Sequence, residues 1–245
     1  MADINKIIDI ARQAGKIILK HYNTDCRLEN KEDNSPLTQA DIEANQYIEA
    51  ELARHFPDIP VISEEGAKKP IKSSRFFLVD PLDGTKSFIK GTGEFTVNIG
   101  LIEEKRAKAG VIYIPTQDKI YFGDGNTAYK NGAQIWCRKV PQRNVVVVAS
   151  KSHLDNETKA YIDGLKSKYG EVQFSSAASS LKFCMIAEGL ADIYPRFGRT
   201  MEWDTAAGQA IVQSAGGKVT NPDGSEFVYA KNDIWENGNF IAWGS

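Results

Sequence analysis

Residues 75–91, RFFLVDPLDGTKSFIKG, set the problem that the rest of the chain answers. The stretch opens as a buried strand, with Phe76, Phe77, Leu78 and Val79 in an unbroken apolar run. Asp80 and Asp83 follow on either side of Pro81 and Leu82, and Gly84 and Thr85 come next. An unpaired charge buried at the mouth of such a strand costs on the order of several kcal/mol, so two carboxylates there imply a cationic partner. Pro81 fixes one backbone angle and removes an N–H donor, and a rigid turn is expected straight after the strand. Such a turn would aim both carboxylates and the Leu82 carbonyl at one point. Gly84 admits a close ligand and Thr85 adds a hydroxyl. Donors that are all oxygen suit a hard cation, Mg²⁺ above all.

Upstream, two helices are expected near residues 3–22 and 39–55. In the first, Ile4, Ile7, Ile8, Ala11, Ala14 and Ile18 recur at helical spacing. Between them lies a polar connection, NKEDNSPLT, broken by Pro36. A short strand at Val61 and Ile62 runs into Ser63-Glu64-Glu65-Gly66. Downstream, EFTVNIGLI, AKAGVIYIP, KIYFGDG and TAYKNG read as strands of an antiparallel sheet punctuated by Gly and Pro. From Val145 the rhythm changes. VVVVAS, VQFSS, ADIYPR and KVTNPDG alternate with helices near 154–168, 178–188 and 204–215. That alternation suggests an α/β lobe, residues 143–245, following an α+β lobe, residues 1–142.

The chain has 245 residues, a net charge of −2 and 25% charged residues, which gives no global attraction to nucleic acid or to an anionic membrane. Acidic residues interrupt the N-terminal segment, so it does not read as a signal peptide. No apolar run approaches the roughly 20 residues of a membrane span. Cys26, Cys137 and Cys184 are odd in number and dispersed, which fits a reducing, cytoplasmic setting and argues against a disulfide frame. His21, His55 and His153 are equally scattered, so zinc is disfavoured.

Four places put carboxylates at the ends of elements: Asp41, Glu64-Glu65, the Asp80/Asp83 pair, and Asp204 in WDTAAGQAIVQSAGG. Each has a structural explanation beside the functional one. Thr38 and Asp41 have the spacing of a capping box, Asp204 suits a helix cap, and Glu64-Glu65 suits a solvated turn.

DPLDGT after an apolar strand, SEEG before it, WDTAAG near the C-terminus and SPLTQAD near the N-terminus closely resemble the inositol monophosphatase superfamily, over essentially the whole chain. The resemblance implies a layered α-β-α-β-α sandwich and a Mg²⁺-dependent, Li⁺-inhibited phosphomonoesterase with two or three ions. It implies that Glu64, Asp80 and the Leu82 carbonyl hold one ion, and that Asp80, Asp83 and Asp204 hold a second. Thr85, oriented by Asp41, would position and deprotonate the attacking water. Leu82, Asp83, Gly84, Thr85 and Asp204 would also meet substrate, with the Gly84 and Thr85 N–H groups facing phosphate.

The segments SSAASSLKFC and YPRFGRTMEWDTAAG resemble the CysQ-type 3′(2′),5′-bisphosphate nucleotidase branch more than the inositol branch. That implies a small nucleotide bisphosphate as substrate, adenosine 3′,5′-bisphosphate or the 3′-phosphorylated sulfate donor, and a role in clearing a by-product of sulfate activation. A second phosphate needs a cationic partner, for which Lys182, Arg196 and Arg199 are candidates. Phe183 and Phe197 could stack on base or sugar, although Phe183 also fits a core pattern and Lys182 a solvated lysine. Lys86 and Lys90 either face substrate or are ordinary surface lysines. Arg199 stands where the family usually has proline, and Ser87 where it has glutamate, two departures that bear on how the distal phosphate or ribose is held. The chain is expected to be a monomer or homodimer with no integral membrane segment, in the cytoplasm or peripheral to the cytoplasmic face of a membrane.

Overall fold

A computed structural model describes residues 3–24, 28–30, 36–66, 71–150, 155–231 and 234–245. Cys26 and His153 lie outside the described residues. The first amphipathic pattern forms α1 (Ile4–His21), begun by Asp3, whose carboxylate accepts from the Asn5 N–H. The polar connection is not wholly irregular. β1 (Leu28–Asn30) and β2 (Pro36–Thr38) pair antiparallel, and Pro36 is tolerated as the first residue of its strand. α2 (Gln39–His55) follows directly and packs beside α1.

These two helices cover one face of a seven-stranded sheet. Its strands are β3 (Val61–Ser63), β4 (Arg75–Asp83), β5 (Thr96–Glu103), β6 (Arg106–Ile114), β7 (Lys119–Gly123), β8 (Ala128–Lys130) and β9 (Ala133–Ile135), neighbours in that order. Only β3 and β4 pair parallel. A short helix, α3 (Thr85–Ile89), leaves the end of β4.

The chain then alternates as β10 (Val145–Ala149), α4 (Asn156–Tyr169), β11 (Val172–Ser176), α5 (Leu181–Ala187) and β12 (Ile193–Arg196). It ends with β13 (Thr200–Met201), α6 (Glu202–Ser214), β14 (Lys218–Thr220), β15 (Glu236–Asn237) and β16 (Phe240–Trp243). A five-stranded sheet runs β11-β10-β12-β16-β14. The sequence reading has no strand at 240–243, yet β16 lies between β12 and β14; four residues after an irregular loop carry too little period to be seen. Pro195 is accommodated because β12 meets β10 only at Ile193, leaving the rest of that edge without a ladder.

Side-chain alternation fixes the layers. On β10, Val145, Val147 and Ala149 face α4, whereas Val148 faces α5 and α6. On β4, Phe77 and Val79 face α1 and α2, whereas Phe76 and Leu78 face α6. Both sheets are thus covered on both sides, which is why their strands read as unbroken apolar runs. The result is the α-β-α-β-α order that the resemblance implied, with α5 and α6 as the middle layer. α6 lies very close to the large sheet: a Cβ on Gly100 would come 2.6 Å from that of Ala206, and one on Gly110 2.5 Å from the Ala207 carbonyl oxygen.

At the end of β4 the register shifts. Asp80 pairs with Asn98 and Asp83 with Thr96, so β4 takes three steps where β5 takes two. This is a β-bulge, and it exchanges the faces: beyond it Leu82 joins Phe77 and Val79 against α1 and α2. The turn expected straight after Val79 is therefore displaced. The strand continues to Asp83, Pro81 sits in the bulge where the ladder is already interrupted, and the chain turns at Gly84 with φ 96°.

Candidate active site

The bulge decides which side chains meet. In a regular strand, positions 80 and 83 would face opposite ways; the extra residue turns both carboxylates into one cavity of about 600 Å³. Glu64 enters from the neighbouring strand end, where its N–H donates to the Val79 carbonyl at 3.0 Å. Asp204, the third residue of α6, arrives from the middle layer, and its Oδ2 accepts from the Met201 N–H at 2.7 Å. Glu64, Asp80 and Asp204 each offer an oxygen within 4.8 Å of the other two. Asp83 and Glu65 are not in that triad. Burial, reinforced by the Asp83 and Glu64 carboxylates, pushes the Asp204 carboxyl well above its usual range. Asp204 is thus at once a helix-terminal acceptor and a member of a crowded anionic cluster.

Asp41 is also doubly used. Its Oδ2 accepts from the Thr38 N–H at 2.8 Å and the Thr38 hydroxyl at 2.6 Å, which closes the start of α2. Its Oδ1 lies 3.3 Å from the Thr85 hydroxyl, which also reaches the Leu82 carbonyl at 3.2 Å. Gly84 makes this placement sterically feasible: a Cβ there would meet the Ser179 Oγ at 2.4 Å.

Three residues that sequence reasoning passed over hold Asp83. Its Oδ2 accepts from the Ser180 N–H at 2.7 Å and the Asn98 amide at 3.2 Å, with the Thr96 hydroxyl oxygen 3.5 Å away. The Asn98 Oδ1 in turn accepts from the Thr96 and Ser180 hydroxyls, at 3.0 and 2.8 Å, which fixes the amide with its nitrogen toward Asp83. A signal was present in EFTVNIGLI: Thr96 and Asn98 stand two apart, on one face of an otherwise apolar strand.

The basic residues separate by environment. Lys182 is not solvated. Only 5% exposed, it donates to the Ser179 carbonyl at 2.6 Å and the Ala177 carbonyl at 3.5 Å, with Nζ 5.2 Å from the centre of the Tyr194 ring. Burial pulls its ammonium down to about 8. Arg196 lines the cavity and donates to the Arg199 carbonyl at 3.2 Å. Arg199, exposed at the cavity, pairs with Glu236 at 3.0 Å; Lys86 and Lys90 also line the cavity and are exposed, and Ser87 between them in sequence is half-buried. Phe183 is core: it is 1% exposed, stacks on Phe240, and occupies the space a Cβ on Gly208 would need. Phe197 packs against Tyr161, away from the cavity. Phe183 nonetheless contributes to the cavity lining, whereas Phe197 does not.

A donor set made only of carboxylates and the Leu82 carbonyl, crowded enough to raise Asp204, fits a hard divalent cation. The Inositol monophosphatase family model matches residues 2–241. The chain belongs to the inositol monophosphatase family. Metal dependence is a property of this family, and the acidic triad is a place where a metal could bind. Within the family, the chain is 42% identical to the 3′(2′),5′-bisphosphate nucleotidase CysQ of Shigella flexneri over 97% of this chain and 98% of that one. Its identity to the CysQ of Escherichia coli K12 is 41%, with the same coverage. Among solved structures it is similar to CysQ from Bacteroides thetaiotaomicron, with a TM-score of 0.85, 39% identity, and 98% and 97% of the two chains covered. A Thermotoga maritima IMPase follows with a TM-score of 0.81, 26% identity, and 99% and 92% covered. Among the described residues, no helix of this family member is long and apolar enough to cross a membrane.

Proposed function

We propose that the chain removes the 3′-phosphate of adenosine 3′,5′-bisphosphate, giving AMP and inorganic phosphate, in a Mg²⁺-dependent and Li⁺-inhibited reaction. One observation carries the reading: Glu64, Asp80 and Asp204 converge at the cavity that also receives Thr85 and Arg196. The names of the CysQ relatives support the choice of substrate.

Glu64, Asp80 and the Leu82 carbonyl would hold one Mg²⁺, and Asp80, Asp83 and Asp204 a second. When bound, such ions lower the pKa of water and stabilise both oxygens of an in-line displacement. The chain's own part is orientation. The Thr85 hydroxyl, donating toward Asp41, presents its lone pairs to a water and accepts its hydrogen bond; the Asp41 carboxylate lies behind it as the proton's destination. The water oxygen forms the new bond to phosphorus, the bond from phosphorus to the ribose 3′-oxygen breaks, and that oxygen leaves as a hydroxyl by taking a proton from a second, solvent water, whose hydroxide is neutralised by the proton released from Asp41. Gly84 and Thr85 open α3, so their N–H groups have no partner within the helix and suit phosphate oxygens. Arg196 and the exposed cations Arg199, Lys86 and Lys90 suit the 5′-phosphate.

The test is phosphate release from adenosine 3′,5′-bisphosphate, inositol 1-phosphate and fructose 1,6-bisphosphate, each with Mg²⁺, with Mg²⁺ plus Li⁺, and with chelator. Mg²⁺-dependent, Li⁺-inhibited release mainly from the nucleotide is expected. Release mainly from inositol 1-phosphate would overturn the substrate. No release from any would leave a silent binding protein.

A further inference from the structure

Lys182 carries a full ammonium into the wall of the site, yet its hydrogen bonds end on main chain. The peptide it grips is the one that touches Asp83. The Ser179 carbonyl accepts from Lys182 at 2.6 Å, and the N–H of the same peptide unit, on Ser180, donates to the Asp83 Oδ2 at 2.7 Å. A single peptide group thus lies between a buried cation and a half-buried carboxylate, with a charge-assisted hydrogen bond at each end. Each bond polarises the amide in the sense that strengthens the other. The loop is held against its own preference, since Ser179 sits at φ 50°, a left-handed conformation that is unfavourable for a non-glycine residue.

We infer that Lys182 is a positioning residue: its ammonium orients the Ser179–Ser180 peptide, which fixes the Asp83 carboxylate with Oδ2 occupied and Oδ1 presented to the site. It is then no direct contact of the second phosphate, and its two carbonyls and the Tyr194 ring account for its directions. This inference rests on the reading of Asp83 as a metal ligand.

The experiment compares the wild-type chain with Lys182→Met and Lys182→Gln; glutamine keeps an uncharged donor one bond shorter and serves if the methionine variant misfolds. Mg²⁺ binding is read by calorimetry without substrate. Separately, kcat/KM is measured for adenosine 3′,5′-bisphosphate and for 3′-AMP, which lacks the 5′-phosphate. The Mg²⁺ dissociation constant should rise about ten-fold or more in Lys182→Met and less in Lys182→Gln, as loss of an outer-shell partner does. The ratio between the two nucleotides should stay as in the wild type. Unchanged Mg²⁺ affinity in both variants overturns the inference, and a collapsed nucleotide ratio with unchanged Mg²⁺ affinity makes Lys182 a phosphate contact instead. Absence of Mg²⁺ binding by the wild type itself would overturn the metal reading, and this inference with it.

Discussion

The two oxygens of Asp41 face different elements: Oδ2 closes the start of α2 on Thr38, and Oδ1 reaches the Thr85 hydroxyl 3.3 Å away. Stability and catalysis therefore meet in one carboxylate, and substitutions should separate them. Thr38→Ala removes one hydrogen bond of the cap and should cost about 1 kcal/mol while sparing the Thr85 contact. Asp41→Asn should lower kcat by roughly 100-fold or more, because an amide cannot take the proton. Denaturant melts and steady-state rates on both variants check this; equal loss of kcat in the two would refute the division.

Asp204 is held anionic among carboxylates only at a cost, since burial, Asp83 and Glu64 all favour its neutral form. Asp204→Asn should raise the melting temperature of the chelated protein, because it relieves that repulsion and keeps an acceptor for the Met201 N–H. The same change should abolish most of the Mg²⁺-induced rise in melting temperature and lower turnover by orders of magnitude. Thermal melts with chelator and with Mg²⁺ provide the check.

Lys182 gives a pH signature. Its folded-state pKa is lowered to about 8 from 10.5, so between those values the unfolded chain binds more protons than the folded one. Stability contributed by this group is therefore lowest below pH 8 and rises with pH toward 10.5. Lys182→Met lacks this dependence. Relative to that variant, the wild type should gain stability as pH is raised through this window, as measured by urea midpoints at matched ionic strength; parallel curves would show that the ammonium is not desolvated.

Close approach of α6 to its neighbours is the fourth test. Gly208→Ala pushes a methyl into the Phe183 ring, which a Cβ there would meet at 2.3 Å. Overpacking of this kind costs about 1–3 kcal/mol. Because the displaced element also carries Asp204, Mg²⁺ affinity should fall together with stability. A variant that melts lower but binds Mg²⁺ as before would uncouple helix packing from the site.

Much of this molecule is legible in one dimension. The ends of α2 and α6 announce themselves through Thr38, Asp41 and Asp204, because capping is local chemistry. The runs in β4 and β10 read as buried strands because their neighbours cover both faces. What stayed hidden depends on contacts far apart in sequence. Ser180 is 97 residues from the carboxylate it holds, and no local pattern marks it. β16 is visible only once β12 and β14 flank it. Lys182 and Phe183 are adjacent in a short helix, and only tertiary packing shows that one is a buried cation on a loop and the other a core ring.

The bulge between Asp80 and Asp83 gives the site an arithmetic as well as a chemistry. Strand faces alternate, so two carboxylates three apart share a face only because one intervening residue is taken up by the bulge. Substitution can weaken a ligand by degrees, but deleting Pro81 or Leu82 would remove the extra step itself: Asp80 and the carboxylate now at 83 would stand two apart on a regular strand, still on one face, with the bulge and the bend it gives the strand end gone. The number of residues between the two aspartates is thus as much a part of the site as their identity.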